Sequence, residues 1–256
     1  KILMTLILII AAALLLTASV FAKQTFDLSE IYSDITVTGN ADGSHTVSYE
    51  DKSFHVSKDE EVEFIGTGEY GITLDRVYAS TTKTKITLNN VEITCNKAPI
   101  YIDAKAHAVI TIRGENTLTN SQADSNDGII TFEYEHMLFD FMGDLTIDGD
   151  GKLTLVGDTN GAKIGSSASY NMFGELHITD NVKIITNDGG NAGSACIGSG
   201  NGKGFAGTVT IDGNAEVTAI ANYDGAGIGS GCYGEFSVTG KVIIEGNANV
   251  TAINYE

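Results

Sequence analysis

Along the C-terminal half of the chain, apolar residues alternate with polar ones in short runs, with no helical period. The run GDLTIDGD from Gly143 returns as GELHITDN from Gly174, GTVTIDGN from Gly207 and GKVIIEGN from Gly240. Ile147, Ile178, Ile211 and Ile244 are thus equivalent positions, 31, 33 and 33 residues apart. A second alternating segment follows each, with Leu153, Ile184, Val217 and Val250 in register. The third mark is a small-residue loop, Ala162-Lys163-Ile164-Gly165-Ser166, which recurs from Ala195 and from Ala226. Each unit therefore holds about three short strands separated by Gly, Asn and Asp turns. One unit cannot bury its own apolar side. Stacking equivalent strands in parallel, about 4.8 Å apart, sets Ile on Ile and Val on Val in one interior. The pattern predicts an all-β chain folded as a right-handed parallel β-helix, with turns of 31–33 residues in its C-terminal half. A propeller would need a longer period and hairpin signals, and a leucine-rich solenoid would need leucines and helices.

The same grammar runs through the N-terminal part at a shorter, less regular spacing. KITLNNVEIT from Lys85 resembles VITIRGENTLT from Val109, which aligns Leu88 with Ile112 and Ile93 with Leu118; Ile112 then precedes Ile147 by 35 residues. The solenoid is expected over residues 61–256, with residues 23–60 as an N-terminal cap or irregular first turns and residues 121–143 as an insertion. Asp150, Asn181, Asn214 and Asn247 share one turn position, where stacked amide side chains can bond along the coil axis. The chain stops where the next Gly-rich loop falls due, so a continuing segment, a further domain or a second protomer is expected to cover that end. Residues 1–22, KILMTLILIIAAALLLTASVFA, read as a secretory signal peptide with Val20 and Ala22 at the −3 and −1 positions.

Charge narrows the partners. With 15 Lys+Arg against 33 Asp+Glu the net charge is −18, which repels phosphate backbones and anionic headgroups. No nucleic-acid partner is expected, and no membrane contact beyond the leader or an anchor formed by it. The three cysteines, Cys95, Cys196 and Cys232, are too scattered for a disulfide framework; a Cys196–Cys232 bridge and buried thiols are both open.

Candidate chemistry lies on outward positions. Asp148, Asp212 and Glu245, with Asp180 beside Thr179, would line one acidic stripe, and a calcium ion taking six to eight oxygens could bridge it to a sugar. Arg113 is placed level with Asp148, as its ion-pair partner one turn away. Tyr170, Tyr223 and Tyr233, with Phe173 and Phe205, fall in or near the Gly-rich loops, where a ring can pack against the apolar face of a pyranose or cover the coil edge. Catalysis is poorly supplied. The five histidines are dispersed, no Asp-Asp pair accompanies a Gly-His-Gly string, and Arg76 and Arg113 are the only arginines.

The stretch TLNNVEIT…APIYIDAKAHAVITIRGENTLTN, residues 87–120, joins the SACIGSG and GAGIGSG loops, each followed by G-x-V-x-I-x-G-x-A-x-V-x-A. Together they resemble the clostridial-type secreted carbohydrate-binding β-helix proteins, similar in fold to polysaccharide lyases of the pectate-lyase type. The resemblance implies binding of acidic or cellulosic plant polysaccharide with calcium. The expected function is a secreted or cell-surface carbohydrate-binding protein for acidic or plant-type polysaccharide, assisted by calcium. A stiff, non-catalytic adhesive rod and a polysaccharide lyase are the alternatives.

Overall fold

The structure, a computed structural model, describes residues 22–76, 82–103, 106–132, 143–172, 174–188, 193–222, 224–233 and 240–255. Apart from Ala22, the expected signal peptide lies outside the described residues. The described chain is all-β save for one 3-10 turn, Leu28–Glu30.

Parallel strands stack on three ladders that the chain visits in a fixed order. The first ladder runs through Ala22–Asp27, Glu60–Gly68, Thr84–Cys95, His107–Arg113, Asp144–Gly149, Glu175–Ile178, Thr208–Ile211 and Lys241–Ile244. The second takes the later halves of Glu60–Gly68 and Thr84–Cys95, then Glu115–Asn120, Lys152–Gly157, Lys183–Asp188, Glu216–Asn222 and Asn249–Tyr255. The third runs from Ile35–Gly39 and Ile72–Arg76 through Ile100–Ile102, Ile130–Phe132, Ile164–Ser166 and Ile197–Gly198 to Ile228–Gly229.

Alternation decides which side chains go inside. Successive strand residues point to opposite faces, so Leu145 and Ile147 are buried while Thr146 between them is half-buried on the outer face. In-register pairing then builds apolar files. Ile147 pairs with Ile178 and Ile178 with Ile211. Leu153, Ile184, Val217 and Val250 form a second file, and Ile130, Ile164, Ile197 and Ile228 a third. Each fully buried Ile or Leu contributes roughly 1.5–3 kcal/mol, and no single turn could bury its own. Asn116 interrupts the second file at 2% exposure. Its Oδ1 accepts the Val91 amide at 2.9 Å and its Nδ2 donates to the Arg113 carbonyl at 2.8 Å, so the chain bend is satisfied from inside.

The pairings of Leu88 with Ile112 and Ile93 with Leu118 are those expected. The next one differs. Ile110, not Ile112, pairs with Ile147, and Ile112 lies opposite Gly149. The shift is by two residues, so inward side chains stay inward. It fits Gly149, whose φ is +111° and where a Cβ would meet the Ile112 carbonyl oxygen at 2.3 Å. Thr111 is therefore level with Asp148, and Arg113 is not.

Between the third-ladder strand Ile35–Gly39 and the first-ladder strand Glu60–Gly68 the chain inserts an antiparallel hairpin, His45–Tyr49 and Lys52–Val56. Tyr49 and Phe54 of the hairpin cluster with Phe26 and Phe64 of the first ladder, with Tyr49 stacked on Phe54 at 5.4 Å between centroids and Phe26 packed 5.6 Å from Phe54 and from Phe64. All three cysteines are buried thiols; Cys196 and Cys232 form no bridge. No helix among the described residues is long and apolar enough to cross a membrane.

Candidate functional site

The outward residues of the first ladder form one polar face. Register brings Thr25, Glu63, Thr87, Thr111 and Asp148 into one row, and Lys85, Val109, Thr146, His177 and Thr210 into the next. Side chains along these rows bond from turn to turn. Glu63, 1% exposed, lies within 2.6 Å of Lys23 Nζ and accepts from Thr25 Oγ1 at 3.0 Å and Asn89 Nδ2 at 2.9 Å. Burial alone would push its pKa up; the bonds from Lys23, Asn89 and Thr25 outweigh it and hold the carboxyl below its ordinary value. Glu61 accepts from Thr87 and, at 2.9 Å, from Nη1 of Arg113. Arg113 therefore reaches back toward the N-terminal turns, not forward to Asp148 as the aligned sequence suggests. Asp148 takes its hydrogen bond from Thr111 at 2.6 Å.

The N-terminal end of this face sinks into a groove of about 520 Å³. Its floor comes from the first ladder: Glu61, Lys85, Thr87, Thr111 and Arg113. Its walls come from the chain either side of the hairpin, including Asp42, Gly43, His45 and Lys58–Glu60, and from Thr82 and Lys83. The groove exists because the hairpin stands beside the coil. His45, 5% exposed, ties the two together by accepting the Lys85 amide at Nε2. Three of the groove's carboxylates are committed within the protein. Asp42 accepts from the Ser44 amide at 3.0 Å and hydroxyl at 2.6 Å, bonds that hold its carboxyl below the ordinary value. Glu60 accepts from the Ser57 amide at 3.0 Å, and Glu61 is engaged as above.

Of the residues singled out from sequence, Arg113 lines the groove and Asp148 borders it through Thr111; the others lie elsewhere. Successive amide-to-carbonyl bonds, Thr179 to Ile147, Asp212 to Ile178 and Glu245 to Ile211, keep the acidic stripe in register. Its oxygens are not gathered. Asp148 is engaged by Thr111, and Asp212 by Thr179 and by His177 at 2.9 Å, bonds that outweigh its partial burial and hold Asp212 below its ordinary pKa. Asp180 sits at a turn with φ +64°, where Gly213 and Gly246 stand in the following turns. Among the described residues no three His, Cys, Asp or Glu side chains are grouped as metal ligands. Asp148 and Asp212 thus each have an oxygen committed to a neighbour, and the stripe supplies one carboxylate per turn where a calcium ion takes six to eight oxygens.

Tyr170 and Tyr233, 42% and 81% exposed, stand in loops that follow third-ladder strands two turns apart. They precede the first-ladder strands, whereas Asp180 and Glu245 follow them, so tyrosines and stripe lie on opposite margins of that ladder. Tyr223 and Phe173 lie outside the described residues. Phe205, 5% exposed, covers the core.

The groove was not legible as a site because His45, in its wall, stands 40 residues before Lys85, in its floor. One local signal was present: in Lys83-Thr-Lys85-Ile-Thr87 the alternation puts two lysines and a threonine on the same side.

No curated protein and no solved structure matches the chain. A family model described as carbohydrate-binding domain-containing protein matches residues 50–169, just under half of the chain, and this similarity supports a carbohydrate-binding role.

Proposed function

We propose that the protein is a secreted or cell-surface, non-catalytic carbohydrate-binding protein built on a right-handed parallel β-helix. Its glycan-binding surface is the outward face of the first ladder, entered at the groove, and its ligands are acidic or plant-type polysaccharides. One observation carries this reading: the matched segment, residues 50–169, contains the entire floor of the groove and most of its walls. The segment stops short of Tyr170, so the exposed tyrosines are a secondary contact for a chain that extends beyond the groove.

The physical basis is ordinary for sugar recognition. A concave surface lined by hydroxyls, cations and carboxylates of fixed geometry meets sugar hydroxyls with several directed hydrogen bonds, and a stiff coil holds them in place before the ligand arrives. Arrays of acidic and neutral plant glycans, run with and without a chelator, test the reading. Retention on at least one class supports binding; no retention on any favours the adhesive rod. Release of unsaturated uronate products, followed by ultraviolet absorbance, would favour the lyase.

A further inference from the structure

We infer that the groove is a metal-independent site for an anionic sugar, in which Lys58, Lys83 and Lys85 neutralise the acid group and Arg113, braced by Glu61, orients it. This inference rests on the carbohydrate-binding reading above and adds the ligand's charge and the residues that read it.

The distribution of charge is the first ground. The chain carries 15 Lys+Arg in a net charge of −18, yet four of those cations line this one groove. Long-range attraction of an anion to such a protein is absent, so any anion held here is held by local contacts.

Commitment of the side chains is the second ground. Lys58, Lys83 and Lys85 are exposed, and none forms an ion pair among the described residues. The carboxylates that could neutralise them are bound to other groups: Asp42 to Ser44, Glu60 to Ser57, and Glu61 to Thr87 and Arg113. Only Asp59 among the groove's acids lacks such a bond among the described residues. The lining is formally neutral, four cations against four carboxylates, but three of the carboxylates are turned to partners of their own while the three ammonium groups are left to face a ligand.

Geometry supplies the third ground. Arg113, 43% exposed at its side chain, uses Nη1 for Glu61 and leaves Nε and Nη2 without a hydrogen bond among the described residues. That edge of a guanidinium pairs with a carboxylate or sulfate through two parallel bonds, and the Glu61 contact fixes its plane beforehand. A volume near 520 Å³ suits about one or two pyranose units of a longer chain.

Carboxylated and sulfated sugars share this chemistry, so the test separates them. Trigalacturonate, a sulfated carrageenan oligosaccharide and neutral cellotriose are titrated calorimetrically into the protein at 0.15 M salt with EDTA present. At least one anionic ligand is expected to bind with the chelator present. Binding should weaken at least tenfold in Lys83→Gln/Lys85→Gln and several-fold in Arg113→Lys, which keeps the charge but loses the paired bonds. The lysine variant should unfold at the wild-type temperature, since both side chains are exposed. Anion binding that is unchanged in the double variant, or that is lost with EDTA, overturns the inference. If cellotriose binds and the anions do not, carbohydrate binding stands and the anionic site falls; if none binds, both fall.

Discussion

The backbone amide of Lys85 donates to Nε2 of His45 at 3.0 Å across 40 residues of sequence. This bond requires a neutral imidazole with its proton on Nδ1. Burial pulls the His45 pKa below its ordinary value of about 6.5, the Lys83 carbonyl opposes that in part, and the Lys85 charge adds to it. Because the folded value lies below the unfolded one, the unfolded chain takes up the proton first as pH falls. Stability from this site is complete above about pH 6.5 and declines as pH drops through the lowered folded value. Urea unfolding between pH 8 and 5 should show that decline, and His45→Gln, which does not titrate, should show a shallower one. An equal slope in the variant would remove His45 from the account.

Glu63 tests the cross-turn network. Its carboxylate is nearly sealed from water and holds Lys23, Thr25 and Asn89. Glu63→Ala should cost about 1.5–3 kcal/mol, because it removes three hydrogen bonds to a charged group, while the exposed donors Lys23 and Thr25 can turn to water. Denaturant unfolding measures it. A loss within about 0.5 kcal/mol would mean that the network is no more than a solvated surface cluster.

Two glycines separate close stacking from mere turn preference. Gly198 has φ +135°, and a Cβ there would meet the Gly229 carbonyl oxygen at 2.0 Å; Gly202 has φ +73° with nothing within 4 Å. Gly198→Ala should cost about 3 kcal/mol or more, since backbone of the next turn must move, whereas Gly202→Ala should cost about 1 kcal/mol of backbone strain. Thermal unfolding of the pair gives the ranking; equal losses would place the third-ladder turns farther apart than described.

The asparagine file offers a smaller effect. Asn247 Nδ2 donates to Asn214 Oδ1 at 3.1 Å, and Asn214 Nδ2 to Asn181 Oδ1 at 2.9 Å. Asn214→Ala breaks both bonds at an exposed turn and should cost about 1 kcal/mol. Asn214→Asp keeps one acceptor and loses the donor, so its loss should be the lesser of the two in the same unfolding assay.

How much of this was readable beforehand follows from what repeats. The Ile147, Ile178 and Ile211 file was legible because each turn reproduces both the apolar side chain and the turn behind it, so register is specified twice. The asparagine file was legible for the same reason. Between Ile110 and Ile147 the spacing departs from the repeat, although the stretch 121–143, expected as an insertion, carries the ordinary third-ladder strand Ile130–Phe132; alternation by two cannot choose between Ile110 and Ile112, and Gly149 makes that choice through its close approach to Ile112. Alignment on Ile112 likewise puts Arg113 level with Asp148, where the register puts Thr111. The groove was hidden for another reason: His45 and Lys58 meet Lys85 and Arg113 only after the hairpin docks, and no spacing along the chain encodes that meeting.

A crystal structure of the protein with a bound plant oligosaccharide tests the central claim most directly. The sugar is predicted to lie in the groove, over Thr111 and within hydrogen-bond reach of Lys85 and the free edge of Arg113. A sugar seated on the loops of Tyr170 and Tyr233 with the groove empty, or on the second ladder, would contradict it.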